Sequence, residues 1–345
     1  MSKPTPADLR RTASQRERAM LQAFNAIVAD IKNQAVLSEI VRALEVGNVD
    51  GVITLLNLDA PTWEPLAEQI RESYRTGGIT GAAQLGKIPV AGVAVAARFD
   101  MRNIRAEQWV ATHSSRLITE IVAEQRTNIR ALLTDAVARG QGPRTTALDL
   151  VGRIDPRTRQ RVGGIVGLTE NQAGWVRNAR AELESLDPAY LGRKLRDPRF
   201  DAAVRRAIAD GKPLPAAQID RAITQMQARA QRYRGEVIAR TESIDALRAG
   251  QFESIQQAVG VGEIDARDVT KTWDSTGDGK TRPEHSAADG QSVPVDQPFT
   301  VGGELLMYPG DTSRGASARN TIQCRCTVAY GVDYLGRAAR IEGFG

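Results

Sequence analysis

The chain contains little cysteine and few aromatic residues. Only 2 of its 345 residues are cysteine, and phenylalanine, tryptophan and tyrosine together make up 5% of the sequence. Two cysteines cannot build the disulfide framework of a small secreted protein, so we expect a reducing compartment. With 41% hydrophobic and 25% charged residues, the composition favours a helix-rich globular protein over an aromatic-rich β-sandwich.

The chain also lacks a long uninterrupted apolar run. Its most apolar stretch, residues 79–99, is broken by three glycines, a lysine and a proline, whereas a transmembrane helix needs about 20 predominantly apolar residues. The first residues contain no apolar segment of the kind that secretion signals require. We therefore expect no membrane partner and a chain that is cytoplasmic when made.

The balance of charge is mildly positive. The chain has 46 basic and 41 acidic residues, a net charge of +5, which permits contact with nucleic acid without requiring it. One short segment is rich in arginine and could touch DNA through phosphates, the alternative being a solvated surface. Its candidate contact residues are Arg153, Arg157, Arg159 and Arg161.

Apolar residues spaced three and four apart dominate the first part of the chain. They predict helices over 14–44, 61–74 and 102–139, with Gly47 ending the first and the Gly77-Gly78 pair following the second. Residues 79–97 fit either a tightly packed helix or a buried strand. The first domain, residues 1–165, is therefore expected to be elongated and helical.

The second part begins with helices and ends in short strands. Thr169 and Gln172 have the spacing of a capping box, and further helices are predicted over 201–210 and 215–259. After Gly260 the β-prone pieces are 269–273, 299–301, 304–308 and 324–330. The sequence predicts a mainly α N-terminal domain followed by an α+β domain with a small antiparallel sheet, over 166–335, and a tail at 336–345.

Four clusters in the last third carry distinctive chemistry. One is Arg240-Thr241-Glu242, within the last long helix. The other three are a tryptophan-to-histidine segment with an Asp-Gly turn, a Pro-Gly-Asp turn and a Cys-x-Cys segment; their residues are Trp273, Asp274, Arg282, His285, Asp289, Gly290, Pro309, Gly310, Asp311, Cys324, Arg325 and Cys326.

In this order and spacing, the clusters resemble the Mu F-like head morphogenesis family, the minor head proteins of tailed bacteriophages. The resemblance covers about residues 169–330, and the chain departs from it at Asn320, which lies four residues before Cys324 instead of directly beside Cys-Arg-Cys. It implies a protein that binds the portal and other head proteins and acts in capsid assembly, DNA packaging or ejection. The implied location is the virion, in the capsid interior near the portal, with packaged double-stranded DNA close by.

The Cys-x-Cys segment raises the question of a metal. Cys324, Cys326 and His285 could supply three ligands to zinc, with Asp274 or Asp289 as the fourth. Alternatively, the two cysteines alternate on a strand and pack as small apolar groups, while His285 bonds to a carboxylate. Without a second cysteine pair the apolar interpretation is favoured, so no cofactor is expected and zinc is kept as a hypothesis.

The resemblance also implies a relation to the ADP-ribosyltransferase fold, in which an Arg or His, a Ser-Thr-Ser strand and a Glu-x-Glu turn act on NAD. Arg240 and Ser275-Thr276 could correspond to the first two elements. The sheet region has no Glu-x-Glu, and Glu182-x-Glu184 falls on a predicted helix. We expect no enzymatic activity; the alternatives are an ADP-ribosyltransferase-type enzyme or effector delivered with the phage DNA, and a DNA-binding structural module.

Charge pairing is expected to hold the second domain together. Arg240 is predicted to pair with a carboxylate of the sheet, and Arg282 with Asp278 or Asp289. His113, on the long helix of the first domain, is predicted to be half-exposed.

Overall fold

The computed structural model describes residues 3–90 and 93–336. Within these ranges the chain is mainly helical. The α-helices are α1 Pro6–Gln34, α2 Leu37–Glu45, α3 Val49–Leu55, α4 Glu64–Leu85, α5 Ile104–Ala138, α6 Pro143–Val151, α7 Glu170–Ser185, α8 Asp201–Asp210, α9 Ala216–Gly260, α10 Pro283–Ala287 and α11 Ala318–Thr321.

The strands form small antiparallel sheets, which confirms this part of the predicted fold class. Strands β5, β6 and β9 form a three-stranded sheet in the order β6-β5-β9, and the remaining strands pair as β1-β2, β3-β4 and β7-β8. Their bounds are β1 Lys87–Val90, β2 Val93–Ala96, β3 Arg153–Ile154, β4 Arg161–Val162, β5 Val269–Asp274, β6 Ser292–Pro294, β7 Phe299–Val301, β8 Glu304–Leu306 and β9 Thr327–Val332.

Several predicted elements are confirmed with close boundaries. Helix α7 begins with a complete capping box, since the Thr169 side chain accepts from the Gln172 backbone and the Gln172 side chain accepts from the Thr169 backbone. Helices α5, α8 and α9 and strands β5 and β7 match the predicted ranges within two residues. These elements were found because capping and periodicity are local properties of the chain.

The first predicted helix is interrupted. In place of one helix over 14–44, the chain forms α1 and α2, separated by Ala35 and Val36. Val36 has an extended backbone, with φ −81° and ψ 102°, and precedes the first turn of α2. The apolar spacing continues across this break, so periodicity alone cannot reveal it. The predicted stop is better placed, because α2 ends at Glu45 and Gly47 takes a positive φ of 68°.

The prediction that a helix stops before Gly77-Gly78 is wrong. Helix α4 continues through both glycines to Leu85. A Cβ atom on Gly77 would lie 1.8 Å from the Leu247 carbonyl oxygen of α9, and one on Gly250 of α9 would lie 2.0 Å from the Tyr74 carbonyl oxygen. The glycines therefore allow the two helix backbones to touch, which outweighs their low helix propensity. The rest of the undecided segment 79–97 forms the hairpin β1-β2, with residues 91 and 92 outside the described ranges.

The predicted strand over 324–330 begins later than expected. Strand β9 starts at Thr327, so Cys324 and Cys326 precede it and do not alternate on a strand. Strand β8 likewise ends at Leu306, two residues short of the prediction. Strand β6, with one apolar side chain and a proline, carries too little periodicity to be recognised in the sequence.

The described chain divides into two compact units, each assembled from separate segments. The sheet unit comprises residues 3–22, 66–90, 93–115 and 237–336, and the helical unit comprises 23–65 and 116–236. This division does not follow a boundary near residue 165, because α1, α5 and α9 each contribute to both units. The two domains expected over 1–165 and 166–335 stay a prediction, and the expected tail 336–345 lies, apart from Gly336, outside the described residues.

Each unit has its own core. In the helical unit, Phe24 packs against Trp63 with ring centroids 5.9 Å apart. In the sheet unit, fully buried Trp273 lies edge-on to Phe299 at 5.3 Å. None of the helices in the described ranges combines the length and the apolar character that crossing a bilayer requires.

The contact between α4 and α9 yields a stability prediction. Gly77→Ala should lower the free energy of unfolding by at least about 2 kcal/mol, because backbone atoms cannot yield to the added methyl group. The matched control is Gly174→Ala on α7, where the nearest atom to a Cβ is the end of the Arg177 side chain at 3.7 Å. The control should gain about 0.5–1 kcal/mol from reduced backbone entropy. Urea unfolding of both variants measures the difference, and equal stabilities would contradict the close contact.

Candidate functional site

A buried cluster of histidine and cysteine side chains in the sheet unit is centred on His285. This residue lies on α10, a short helix that begins after Arg282 with Pro283 at its first position, where a missing N–H costs nothing. Its ring is buried and meets the fully buried Trp273 ring edge-on, at 5.6 Å between centroids and 82° between planes. Trp273 comes from β5, so this contact attaches α10 to the three-stranded sheet.

Two cysteine sulfurs lie on the other side of the His285 ring. The distance from His285 Nδ1 is 3.3 Å to Cys326 Sγ and 3.6 Å to Cys324 Sγ. All three side chains are buried, and their potential ligand atoms lie within 4.8 Å of one another. The structure thus brings together the three residues that the sequence singled out for zinc. The fourth candidates point elsewhere, because Asp274 accepts from Arg10 and Asp289 accepts from the Ser275 backbone.

Asn320 determines how the His285 ring is used. The Asn320 amide nitrogen donates to the Val301 carbonyl at 3.2 Å and to Glu304 at 2.7 Å, so its oxygen is the group that faces His285 Nε2 at 3.3 Å. Nε2 must then carry a hydrogen, and Nδ1 is the ring nitrogen that faces the two sulfurs. The expectation that His285 bonds to a carboxylate is therefore wrong, because its partner is the amide oxygen of Asn320.

The departure from the family pattern at Asn320 thereby has a structural explanation. Asn320 belongs to α11, and the chain turns after it through Gln323, which has a positive φ of 56°. These two turns reverse the direction of the chain. As a result, Asn320 and Cys326 contact opposite nitrogens of the His285 ring. Asn320 therefore lies close to Cys-Arg-Cys in the folded structure, although it is not adjacent to that segment in the sequence.

The two thiols differ in acidity because they share a hydrogen bond. Cys324 accepts from Cys326, which lowers the pKa of Cys324 well below its ordinary value, and holding that proton raises the pKa of Cys326. Arg248 of α9 is buried nearby, and burial lowers its pKa while the charge of the cysteines opposes that change. Its Nε and Nη1 atoms have no hydrogen-bond partner among the described residues.

The Arg240-Thr241-Glu242 motif connects α9 to this region. The Thr241 hydroxyl accepts from the Gln323 backbone at 3.1 Å, and Arg240 donates to the Gln323 side chain at 3.4 Å. Residues 240, 273, 285 and 324 are therefore linked by direct contacts or through one neighbour, as the resemblance implies. The motif fixes the turn that precedes the cysteines.

The predicted partners of the arginines are wrong. Arg240 pairs with Glu17 of α1, at 2.8 Å, and not with a carboxylate of the sheet. Arg282 donates to the Ile322 carbonyl, while Asp278 pairs with both terminal nitrogens of Arg325. This side-chain bond holds the pKa of Asp278 below its usual range. Arginine–carboxylate pairs do form in this region, as expected. Their partners, however, are distant in the sequence and come together only in the folded chain.

Glu242 takes part in a second buried polar group. It lies 2.6 Å from Nε2 of His113, whose ring stacks on Trp109 at 4.4 Å. His113 is buried, which corrects the prediction of half-exposure; its spacing from Ala106 and Val110 places it on the inward face of α5. Asp245, one turn along α9, is also buried there, and burial raises its pKa to about 7.

The Asp-Gly and Pro-Gly-Asp motifs are turns with defined bonds. Gly290 has a φ of 75° and donates to the Trp273 carbonyl, joining the turn to β5. Asp311 is buried and accepts from the backbones of Met307 and Ser313, each at 2.8 Å. Gly310, with a φ of 99°, lets the turn approach Asp245, whose carboxylate would lie 3.2 Å from a Cβ there.

The arginines proposed for DNA contact lie on the β3-β4 hairpin of the helical unit. Arg153 pairs with Asp149 and Asp220, and Arg161 donates to the Gly152 carbonyl. The guanidinium groups of Arg153 and Arg161 are therefore engaged in bonds within the helical unit. Arg157 and Arg159 are exposed on the hairpin, so only they are free to present a guanidinium outward.

Sequence reasoning missed several contributors to the site. Glu17, Arg248 and Asn320 contact or surround the motif residues, yet none was assigned a role there. Glu17 and Arg248 fall within helical patterns that give no sign of a partner. Asn320 carried a usable signal, because a polar residue at the end of a short helix beside Cys-x-Cys is available to orient a ligand.

Comparison with known proteins identifies one matching family. Residues 199–329 match the family described as Phage Mu protein F like protein, a shorter range than the 169–330 of the sequence resemblance. A search of curated proteins found no match, and a search of solved structures found none either. The proposed relation of the fold to ADP-ribosyltransferases therefore gains no support.

The role of Asn320 can be tested by removing its amide. Asn320→Ala should lower the free energy of unfolding by about 1–3 kcal/mol, because buried donors and acceptors lose their partners. The matched control is Asn171→Ala on α7, an exposed position, which should change stability by less than about 0.5 kcal/mol. Urea unfolding in the presence of a chelator gives both values. A stability of Asn320→Ala equal to that of the control would show that its bonds do not hold the region together.

Proposed function

We propose that this chain, whose residues 199–329 match the Phage Mu protein F like family, is a minor head protein of a phage and binds the portal. It would act in capsid assembly, DNA packaging or ejection. Its site would be the capsid interior near the portal, reached by assembly in the host cytoplasm. The family supports a head protein of the virion; the portal as partner and the internal position are the proposal.

One observation in particular supports a structural role. The polar motif residues form bonds within the sheet unit: Arg240 with Glu17, Arg325 with Asp278, and Asp311 with two backbone amides. Groups engaged in this way shape a surface and are not poised to act on a substrate. The motif therefore serves to hold helix, sheet and turns in one arrangement that a partner can recognise.

The proposed role is not enzymatic. Arg240, the candidate for an ADP-ribosyltransferase arginine, is engaged by Glu17 and Gln323. Glu182, the candidate glutamate, lies on helix α7 of the helical unit and pairs with Arg193. Transfer of ADP-ribose from NAD by the purified chain, abolished in Arg240→Ala, would overturn this part of the proposal.

Portal binding can be tested directly. The full chain, co-expressed with the portal protein of the same phage, should co-elute with the portal oligomer in size-exclusion chromatography, because a minor head protein must be retained at the portal during assembly. Co-expression with the major capsid protein provides the specificity control. Elution of the chain apart from the portal, in the same buffer in which the portal oligomer is intact, would contradict the proposal.

A second candidate function is contact with packaged double-stranded DNA, favoured by the exposure of Arg157 and Arg159 on one hairpin. Duplex DNA binding should weaken in the Arg157→Ala/Arg159→Ala variant, and the slope of log affinity against log salt should fall in magnitude by about 1.8. The matched control is Arg116→Ala/Arg206→Ala, which removes the same charge from exposed positions on α5 and α8. Equal binding by both variants in gel-shift titrations would exclude the hairpin as the contact.

A further inference from the structure

We propose that His285, Cys324 and Cys326 bind a zinc ion. The inference stands on the geometry of these three side chains, and it goes beyond the proposed role in the phage head. Zinc prefers thiolate sulfur and imidazole nitrogen, and these three residues supply that donor set.

The distances from His285 Nδ1 to the two sulfurs are close to those around a tetrahedral zinc ion. With Zn–S near 2.3 Å and Zn–N near 2.0 Å, donors on neighbouring tetrahedral positions lie about 3.5–3.8 Å apart. His285 Nδ1 lies 3.3 Å from one sulfur and 3.6 Å from the other. Small side-chain shifts are enough to place an ion between them.

The three donors are held by different elements, so their convergence is a property of the fold. His285 is positioned by α10, while both cysteines come from the segment between α11 and β9. The two cysteines alone, two residues apart, would offer zinc only one chelating pair. The histidine comes from a position 39 residues before Cys324, and it completes a three-ligand set in the folded chain.

The second layer of contacts matches that of metal-binding histidines. Such a histidine usually donates its other ring N–H to a carbonyl or carboxylate oxygen, which fixes the tautomer. Here the Asn320 side-chain oxygen accepts from Nε2, and the Asn320 amide group is itself held by Val301 and Glu304. Nδ1 is thereby the ring nitrogen on the side of the two sulfurs, where it can coordinate the ion together with them. Asn320 is the positioning residue of the proposed site.

The surroundings suit a buried ion. Trp273 covers the His285 ring edge-on, and all three donors are buried. Two thiolates neutralise Zn²⁺, and buried Arg248 supplies a further positive charge nearby. This charge favours a solvent-derived or small anionic fourth ligand, because the described His, Cys, Asp and Glu side chains supply three donors to the cluster.

The site would act as a structural clamp. The zinc ion would join α10 to the segment that leads into β9, the strand that pairs along the whole of β5. Metal binding to a site assembled only in the folded state stabilises that state. The clamp is useful in a unit whose sheets have only two or three strands.

The metal content of the whole chain provides the decisive test. Reduced protein purified with zinc and without chelator should contain about one zinc per chain by elemental analysis, and cobalt loaded in its place should give a thiolate-to-metal charge-transfer band. Both thiols should resist alkylation until a chelator is added. Less than about a tenth of a zinc per chain, with no cobalt band and alkylation unaffected by chelator, would overturn the site.

Substitution of the proposed ligands tests which side chains bind the zinc ion. Cys326→Ser and His285→Gln should lose zinc on dialysis against a weak chelator, whereas His113→Gln, a change at a buried histidine outside the cluster, should retain it. Asn320→Ala should keep the cobalt charge-transfer band but bind zinc about 10–100-fold more weakly. Circular dichroism verifies that each variant is folded. Retention of the wild-type zinc content by folded Cys326→Ser and His285→Gln would show that the metal lies elsewhere and would overturn the assignment.

Discussion

A buried histidine must have both ring nitrogens satisfied, and much of the sheet unit is organised around meeting this condition for His285. One nitrogen faces the Asn320 amide and the other faces two cysteine sulfurs. An unpaired polar group at this depth would cost several kilocalories per mole. The chain therefore has to bring α10, α11 and the cysteine segment to one place, and Trp273 attaches that place to the sheet.

The bonds around this centre explain why the motif residues are spread over so much of the chain. Thr241 and Arg240 hold the turn at Gln323, Gly290 attaches its turn to β5, and Asp311 orders the turn after β8. These four motif residues thus bond to turns in separate parts of the sheet unit. Bonds of this kind hold the turns of the sheet unit in place, which agrees with the structural role proposed for this chain. The proposed zinc ion would strengthen the same junction.

Most helices and strands could be predicted from the sequence, whereas the contacts between distant residues could not. The capping box of α7 and the helix α8 follow from signals contained within a few residues. The Gly77-Gly78 pair gives the same local signal as a helix end, yet α4 continues, because α9 packs against Gly77 and the Phe99 ring packs against Gly78. The partner of Arg240 was mistaken for a similar reason. Glu17 is 223 residues away in sequence, and its helix shows no sign of which guanidinium it will meet.

The side chains that carry the chemistry could be recognised before folding was considered, since the order of Arg240, His285 and Cys-x-Cys resembles a known family and contains three candidate zinc ligands. Folding was needed to show that Asn320 orients the histidine, that the cysteines precede the strand, and that α1, α5 and α9 contribute to both compact units. The physical reason is the range of the interactions. Capping, turn formation and periodicity act over a few residues, whereas the orientation of a buried ring and the approach of two helices depend on atoms that the chain brings together only when it folds.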